Sequence, residues 1–164
     1  MNGTVAQPAD QRSTPRDEAA LQPADERDAM HLALRAIVEG TATATGTEFF
    51  YALVRELAQA LNVDNALVCE LLECQTRVRP LAFWSGGQFI ENTEFDLDGT
   101  PCEVVIRGET VYYTRQVYEM FPRNTGLKEF GIESYFGVPL ISESGNEMLG
   151  HLAVYHNQPL AKEF

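Results

Sequence analysis

The segment SYFGVPLISESGNEMLGHLAVYH, residues 134–156, carries the strongest fold signal in the chain. Two apolar runs, 132–141 and 148–156, flank the polar stretch SESGNE, a pattern that predicts two antiparallel strands joined by a turn. Both runs are apolar at successive positions, so both faces of their sheet must be covered. We therefore expect an α+β domain in which an antiparallel sheet of about five or six strands has helices on each side.

The segments that precede this hairpin predict the remaining strands. ALVCELLE at 66–73 and RVRPLAFW at 77–84 are short apolar runs separated by polar residues, and they predict a second hairpin or a meander. After the turn SGGQ, the stretch FIENTEFDL at 89–97 predicts a further extended segment. TVYY at 110–113 predicts one more short strand, and an irregular stretch with a turn of helix follows it and ends at Gly131.

A helix is predicted directly ahead of the first strand. Thr45 and Glu48 have the three-residue spacing of a capping box, and the turn residues of 62–65 end the helix. Its apolar face shows the three- and four-residue steps of an amphipathic helix and consists of Phe49, Phe50, Leu53, Val54, Leu57 and Leu61.

A second, shorter helix is predicted at TPCEVVIR, residues 100–107. Thr100 takes the N-cap position, and Pro101 takes the first helical position, where its missing N–H costs nothing. Glu103 completes a capping box with Thr100. Gly108 follows directly, which is typical of the residue just beyond a helix C-terminus. These four residues together predict one short helix.

The two ends of the chain are expected to differ from the domain between them, which spans residues 44–160. Residues 1–24 contain three prolines among polar residues and too little apolar area to offset the entropy of ordering, so they predict a disordered head. Residues 161–164 read as the start of a truncated C-terminal helix. We therefore expect the natural protein to continue beyond this segment.

Residues 25–40 predict an N-terminal helix. Asp25 is placed to cap it and Gly40 to end it. An apolar stripe with helical spacing runs along it and consists of Met30, Leu34, Ile37 and Val38. The stripe needs a partner, which is either the surface of its own domain or the same helix of a second copy. Both alternatives stay open at this point.

Composition narrows the class of protein. The 164 residues include 24 acidic and 12 basic side chains, a net charge of −12, and such an acidic surface disfavours direct binding to nucleic acid. No apolar run approaches the roughly 20 residues that cross a bilayer, and the start lacks the apolar stretch of a signal peptide, so we expect no membrane contact and a cytoplasmic location. Cys69, Cys74 and Cys102 form no CxxC pair and are expected to be free thiols.

Two stretches of the chain resemble a known family. YFGVPL at 135–140 and LGHLAV at 149–154, with a polar turn between them, resemble the paired final strands of a GAF domain. AFWSGGQFIENTEFDLDGTPCE at 82–103 resembles the crossover of that family from the second strand, through the pocket loop, into a capped helix. The resemblance covers about residues 44–160 and rests on pattern rather than on catalytic motifs.

This resemblance implies both an architecture and a role. The terminal helices are expected on one face of the sheet, and a ligand cavity with short helices on the other. The role implied is that of a non-catalytic regulatory module in a bacterial signalling protein, such as a histidine kinase of a two-component system, a nucleotide cyclase or an enhancer-binding regulator. The helix at 25–40 then serves as a signalling helix, and the terminal helices join two copies in a homodimer. A small molecule of unknown identity is the expected ligand, a downstream output domain receives the signal, and the cofactor is unknown.

Eight residues are candidates for ligand binding, because ligand sites combine aromatic walls with a few polar groups. For Thr100 the alternative role is the helix cap, and for Cys102 it is simple packing. His151 and His156 point to opposite faces of one strand, so they do not share a metal, and no metal site is expected. The candidates are Trp84, Glu94, Asp96, Thr100, Cys102, Tyr113, Tyr135 and His151.

Three further patterns limit the chemistry. Hydrolase, phosphate-binding and zinc-protease motifs do not occur, so we expect no enzyme activity. Glu103 follows Cys102, whereas a histidine usually follows the attachment cysteine in bilin-binding members, and the Asn-Lys-Phe-Asp-Glu set of cyclic-nucleotide-binding members is not recognisable. Two alternatives stay open. One is a ligand-free dimerisation module, and the other is a methionine sulfoxide reductase with pocket cysteines, an arrangement that Cys69 and Cys74 resemble and that is tested at Cys69 and Cys102.

Overall fold

The computed structural model describes residue 35, residues 38–91 and residues 93–160. The predicted disordered head at 1–24 and the helix start at 161–164 lie outside the described residues, as does most of the predicted helix at 25–40, although residues 38–41 are helical. The elements that follow are α1 (Thr47–Ala60), β1 (Asn65–Leu71), β2 (Arg77–Ser85), β3 (Gln88–Phe89), β4 (Phe95–Asp96), α2 (Pro101–Ile106), β5 (Val111–Tyr113), α3 (Val117–Met120), α4 (Thr125–Glu129), β6 (Ser134–Ile141) and β7 (Met148–His156).

The strands form one antiparallel sheet in the order β3-β2-β1-β7-β6-β5, and β4 pairs with the other end of β2. β1 lies at the centre, between β2 and β7. The predicted hairpin of β6 and β7 forms with Tyr135 opposite Tyr155 and Phe136 opposite Val154. The α+β class and the antiparallel sheet are confirmed, and within the described part of the chain the two-residue strands β3 and β4 bring the number of strands to seven.

The two faces of the sheet carry two separate apolar cores, because successive side chains of a strand point to opposite faces. On one face, Ala66 and Val68 of β1 pack with Val54 of α1. On the other face, Leu67 and Cys69 of the same strand belong to the core that includes residues of α2. The second face is the one that carries the cavity described below.

Three local predictions need correction. Helix α1 begins one residue later than the capping box required: Gly46, with φ of 61°, is the N-cap and no side chain caps the helix, so Thr45 and Glu48 are out of step with its first turn. Only the ends of the predicted extended segment at 89–97 pair with β2, as the short strands β3 and β4. The chain before Gly131 forms two short helices, α3 and α4, instead of one turn.

Among the described residues, none of the helices combines the length and the apolar character that crossing a membrane requires.

Candidate functional site

A cavity of about 630 Å³ lies on the face of the sheet that α2 covers. The strands β1, β2, β6 and β7 supply its floor. The loop between β3 and β4, the start of α2, and α4 with the residues just after it supply its walls. The cavity therefore lies where the family resemblance placed a ligand site, opposite the face that α1 covers.

The floor of the cavity is apolar and aromatic. Leu67 of β1, Phe83 of β2, Tyr135 of β6 and Tyr155 of β7 all line it. The rings of Tyr135 and Tyr155 are stacked with centroids 6.4 Å apart, and Phe83 is 6.1 Å from Tyr155. These four side chains lie on four successive strands of the sheet, β2-β1-β7-β6, so the sheet holds the floor in place.

The wall at the start of α2 is formed by Thr100, Pro101 and Cys102. The first half of the predicted capping box is present, because Thr100 Oγ1 accepts a hydrogen bond from the N–H of Glu103 at 3.3 Å. The second half differs: the Glu103 carboxylate accepts the N–H of Gly99 at 3.1 Å, one residue before the N-cap, and the N–H of Thr100 bonds to the carbonyl of Leu97. The cap satisfies donors that would otherwise be unpaired at the helix start. The wall is thus positioned by hydrogen bonds within the chain.

The thiols near the cavity are protonated at neutral pH. The hydroxyl of Tyr135 donates a hydrogen bond to Cys102 Sγ at 3.4 Å, and burial raises the pKa of the Cys102 thiol to about 11. Burial also raises the pKa of Cys69 well above its ordinary value. Cys74 is exposed, at the turn after β1. A redox nucleophile must be an accessible thiolate, so the buried Cys69 and Cys102 do not support the reductase alternative. Cys74 is accessible, but it is not among the residues that line the cavity.

The mouth of the cavity combines an exposed aromatic ring with two carboxylates. Phe130, just after α4, is 76% exposed. Asp64 and Glu91 also line the cavity. The Asp64 carboxylate lies 2.7 Å from Nδ1 of His156 and accepts a hydrogen bond from the N–H of Asn157 at 3.1 Å.

The structure brings three of the eight predicted site residues to the cavity, namely Thr100, Cys102 and Tyr135. Thr100 has a second role as the helix cap, as the alternative interpretation proposed. Ligand binding by these three stays a prediction. The other five predicted residues are not among those that line the cavity.

Trp84 faces α1, away from the cavity. Its ring centroid lies 4.9 Å from that of Phe89, which lies 4.9 Å from that of Tyr51 on α1. The reason is a bulge: Val68 is opposite Ala82 and Cys69 is opposite Pro80, which leaves one extra residue in β2. The bulge reverses which residues of β2 face the cavity, so Phe83 lines it and Trp84 does not.

Glu94 and Asp96 belong to an ion-pair cluster on the surface. Glu94 lies 2.7 Å from Arg79 and 3.1 Å from Arg77, and Asp96 lies 3.2 Å from Arg77. The hydrogen bond from Arg79 lowers the pKa of Glu94. Both carboxylates are therefore already paired within the chain.

Tyr113 and His151 lie in the core on the cavity side of the sheet. The ring of Tyr113 packs 5.5 Å from Phe121 and 6.4 Å from Tyr135. His151 is fully buried, and neither ring nitrogen has a hydrogen-bond partner among the described residues. Burial lowers the pKa of His151 to about 4, so the ring is neutral at pH 7.

The sequence reasoning missed several cavity residues. Tyr155 could have been found, because it lies directly opposite Tyr135 once the hairpin register is known. The position of Phe83 at the cavity depends on the bulge in β2, which the sequence does not reveal. Phe130 lies in an irregular stretch whose sequence has no periodic pattern. Within the described part of the chain, no three His, Cys, Asp or Glu side chains are grouped so that they could hold a metal ion.

Comparison with known proteins agrees with this architecture. The model of the GAF domain family matches residues 45–164. None of the curated proteins compared with the chain matches it.

Several solved structures are similar to the chain. The GAF domain of a phosphoenolpyruvate-protein phosphotransferase from Coxiella burnetii superposes with a TM-score of 0.62 at 17% identity, over 82% of this chain and 84% of that chain. The corresponding GAF domain from Acinetobacter gives a TM-score of 0.59 at 21% identity, over 80% and 79%. The chromophore-binding domain of a Stigmatella aurantiaca phytochrome gives 0.62 at 12% identity, over 92% of this chain and 57% of that chain.

At these identities the structural likeness shows the fold alone. The family match covers most of the chain, and it includes both stretches, at 82–103 and 135–154, on which the resemblance was based. The resemblance is therefore confirmed, and the chain belongs to the GAF domain family.

Proposed function

We propose that this chain is a non-catalytic regulatory domain that binds a small molecule in the cavity and relays its presence to an output domain. GAF domains are sensory and regulatory modules, and the chain belongs to that family. The observation that carries the proposal is the cavity of about 630 Å³, lined mainly by apolar and aromatic side chains with a few polar groups. Sites for small molecules commonly have volumes of roughly 300–1,000 Å³ and this kind of lining.

The floor and the α2 wall are preorganised for binding. Phe83, Tyr135 and Tyr155 are fixed by paired strands, and the start of α2 is fixed by the hydrogen bonds of the Thr100 and Glu103 side chains. A preformed site spends little free energy on ordering its own groups when a ligand enters. This favours binding of a ligand with a planar apolar body.

The exposed ring of Phe130 at the mouth of the cavity provides a way to relay ligand binding. The ring of Phe130 is 76% exposed, and it follows α4, whose Leu127 also lines the cavity. A ligand that covers this ring gains apolar contact that the unliganded domain lacks. Such a difference in contact between two states is what allows a ligand to shift their populations.

The binding step is tested with the neutral fluorescent dye Nile red. Ile90 lines the cavity in the loop after β3, and the variant Ile90→Trp places a larger side chain there. Because this side chain occupies ligand space, we expect the variant to bind the dye at least several-fold more weakly than the wild type. Native mass spectrometry of freshly purified protein provides a second readout, since a co-purified molecule appears as added mass.

The matched control is Ile141→Trp, which makes the same change at the far end of β6, where the isoleucine is 46% exposed. It should bind the dye as the wild type does. Circular dichroism confirms that both variants are folded. Equal dye binding by wild type, Ile90→Trp and Ile141→Trp contradicts binding in the cavity.

A second proposal concerns association between two copies. Val38 belongs to the apolar stripe of the predicted N-terminal helix and is 58% exposed. We propose that this stripe forms the seam of a homodimer, as in the ligand-free alternative. Light scattering of the whole chain should then give the mass of a dimer, and Val38→Glu should shift it toward monomer. A monomer at all concentrations tested contradicts this proposal.

A further inference from the structure

We propose that the cavity selects uncharged or cationic ligands and discriminates against anionic ones. This inference rests on the proposed function, because it specifies the chemical class of ligand that the same cavity takes. Its basis is the distribution of charge around the cavity, which is independent of the apolar lining that supports binding itself.

The charged side chains that line the cavity are acidic. Asp64 and Glu91 contribute carboxylates, and none of the lining residues that the structure describes is Lys, Arg or His. His156 lies 2.7 Å from Asp64 and partly offsets that carboxylate when protonated. Glu91 is exposed at the rim, so it is the carboxylate that an entering ligand meets.

The basic side chains nearest in sequence to the walls do not line the cavity. Arg123 lies against Gly99, just before α2, and its guanidinium donates hydrogen bonds of 2.9 and 2.8 Å to the two carboxylate oxygens of Asp98. Lys128 on α4 is exposed and is followed directly by exposed Glu129. Neither cation is among the residues that line the cavity.

A helix N-terminus can also attract anions, and α2 begins at the cavity wall. Here the chain supplies its own anion. The Glu103 carboxylate accepts the N–H of Gly99, and the hydroxyl of Thr100 accepts the N–H of Glu103. These two N–H donors are already engaged, and the first turn of α2 carries a carboxylate of its own. The start of α2 therefore offers an anionic ligand little attraction to offset its repulsion by Asp64 and Glu91.

The charge of the whole chain acts in the same direction. Its 24 acidic and 12 basic residues create a negative potential that repels anions and attracts cations. Near a protein surface, where the effective dielectric constant is below that of water, a negative charge brought close to a carboxylate such as that of Glu91 weakens binding by about tenfold. Phosphorylated and carboxylated ligands should therefore bind worse than neutral molecules of the same shape.

The test uses three probes with the same ring system and different charges: 2-naphthylmethanol, 2-naphthylmethylamine and 2-naphthoate. Isothermal titration calorimetry at pH 7 and low ionic strength measures each dissociation constant. We expect the alcohol and the ammonium to bind, and the carboxylate to bind about tenfold or more weakly. The discrimination should decrease at high salt.

Two acid-to-amide variants locate the source of the discrimination. Glu91→Gln removes the carboxylate at the rim. It should reduce the ratio between the dissociation constants of the carboxylate and the ammonium probes. Glu143→Gln makes the same change in net charge in the turn between β6 and β7, away from the cavity, and should leave the difference as in the wild type.

The outcomes separate the two proposals. If 2-naphthoate binds as tightly as the alcohol, and Ile90→Trp weakens both, the cavity binds ligands and the charge inference is wrong. If Glu143→Gln narrows the difference as much as Glu91→Gln, the selectivity is not set at the cavity, which also overturns the inference. If none of the three probes binds at millimolar concentration, the proposed ligand-binding function itself fails.

Discussion

The hydroxyl of Tyr135, on β6, donates a hydrogen bond to the sulfur of Cys102, in the first turn of α2, over 3.4 Å. This contact joins the floor of the cavity to its wall. Both groups are buried, and burial raises the pKa of each, to about 11 for the Cys102 thiol. The cavity therefore presents neutral hydrogen-bonding groups to a ligand.

The three cysteines should differ in reactivity. Cys74 is exposed, and a hydrogen bond from Thr76 lowers its pKa, whereas Cys69 and Cys102 are buried with raised pKa values. Brief treatment with iodoacetamide at pH 8 should label Cys74 first, as seen by peptide mass spectrometry. All three should react in guanidinium chloride. Labelling of Cys102 at the rate of Cys74 in the folded protein contradicts the prediction.

Removal of the α2 cap should destabilise the domain. Thr100→Ala eliminates the hydroxyl that accepts the N–H of Glu103, and such changes cost about 1 kcal/mol. Urea unfolding measures the loss. Thr100→Ser keeps a capping hydroxyl and serves as the control, with a smaller loss. If both variants unfold at the same urea concentration, the cap makes no net contribution.

Close strand packing should make Gly150 intolerant of substitution. A Cβ at this position would lie 1.9 Å from the carbonyl oxygen of Cys69, a backbone atom that cannot move without distorting β1. We expect Gly150→Ala to lower the free energy of unfolding by about 3 kcal/mol. Gly126→Ala, whose Cβ would approach a side-chain oxygen of Asn124 at 3.3 Å, should be far milder. Thermal unfolding of the two variants provides the comparison.

His151 should make the domain sensitive to acid. Burial lowers its pKa from 6.5 to about 4, so between these pH values the unfolded chain binds more protons than the folded one. Stability from this residue is fully present above pH 6.5 and decreases as the pH falls toward 4. The total loss corresponds to about 3 kcal/mol.

The measurement compares wild type with His151→Leu by urea unfolding at several pH values. The difference between the two proteins cancels the titration of groups that they share. We expect the variant to be at least as stable at pH 7, because both ring nitrogens of His151 lack hydrogen-bond partners among the described residues. Its advantage should grow on acidification, and parallel pH profiles would rule out the assignment.

Local patterns in the sequence were sufficient for several elements. The polar turn between two apolar runs predicted the hairpin of β6 and β7, and Thr100, Pro101 and Gly108 predicted the bounds of α2. These features depend on residues close together in the chain. The capping box at Thr45 was wrong, because Gly46 adopts φ of 61° and takes the N-cap position itself.

By itself the sequence determined the α+β class, the family, and the presence of Thr100, Cys102 and Tyr135 in the region that became the cavity. Only the tertiary structure decided which other residues reach it. Strict alternation along β2 would have placed Trp84 on the cavity face together with Pro80, but the bulge opposite Val68 and Cys69 reverses the alternation. Which face of the sheet a side chain points to depends on how its strand pairs with the neighbouring strand. That pairing is not encoded within the strand alone.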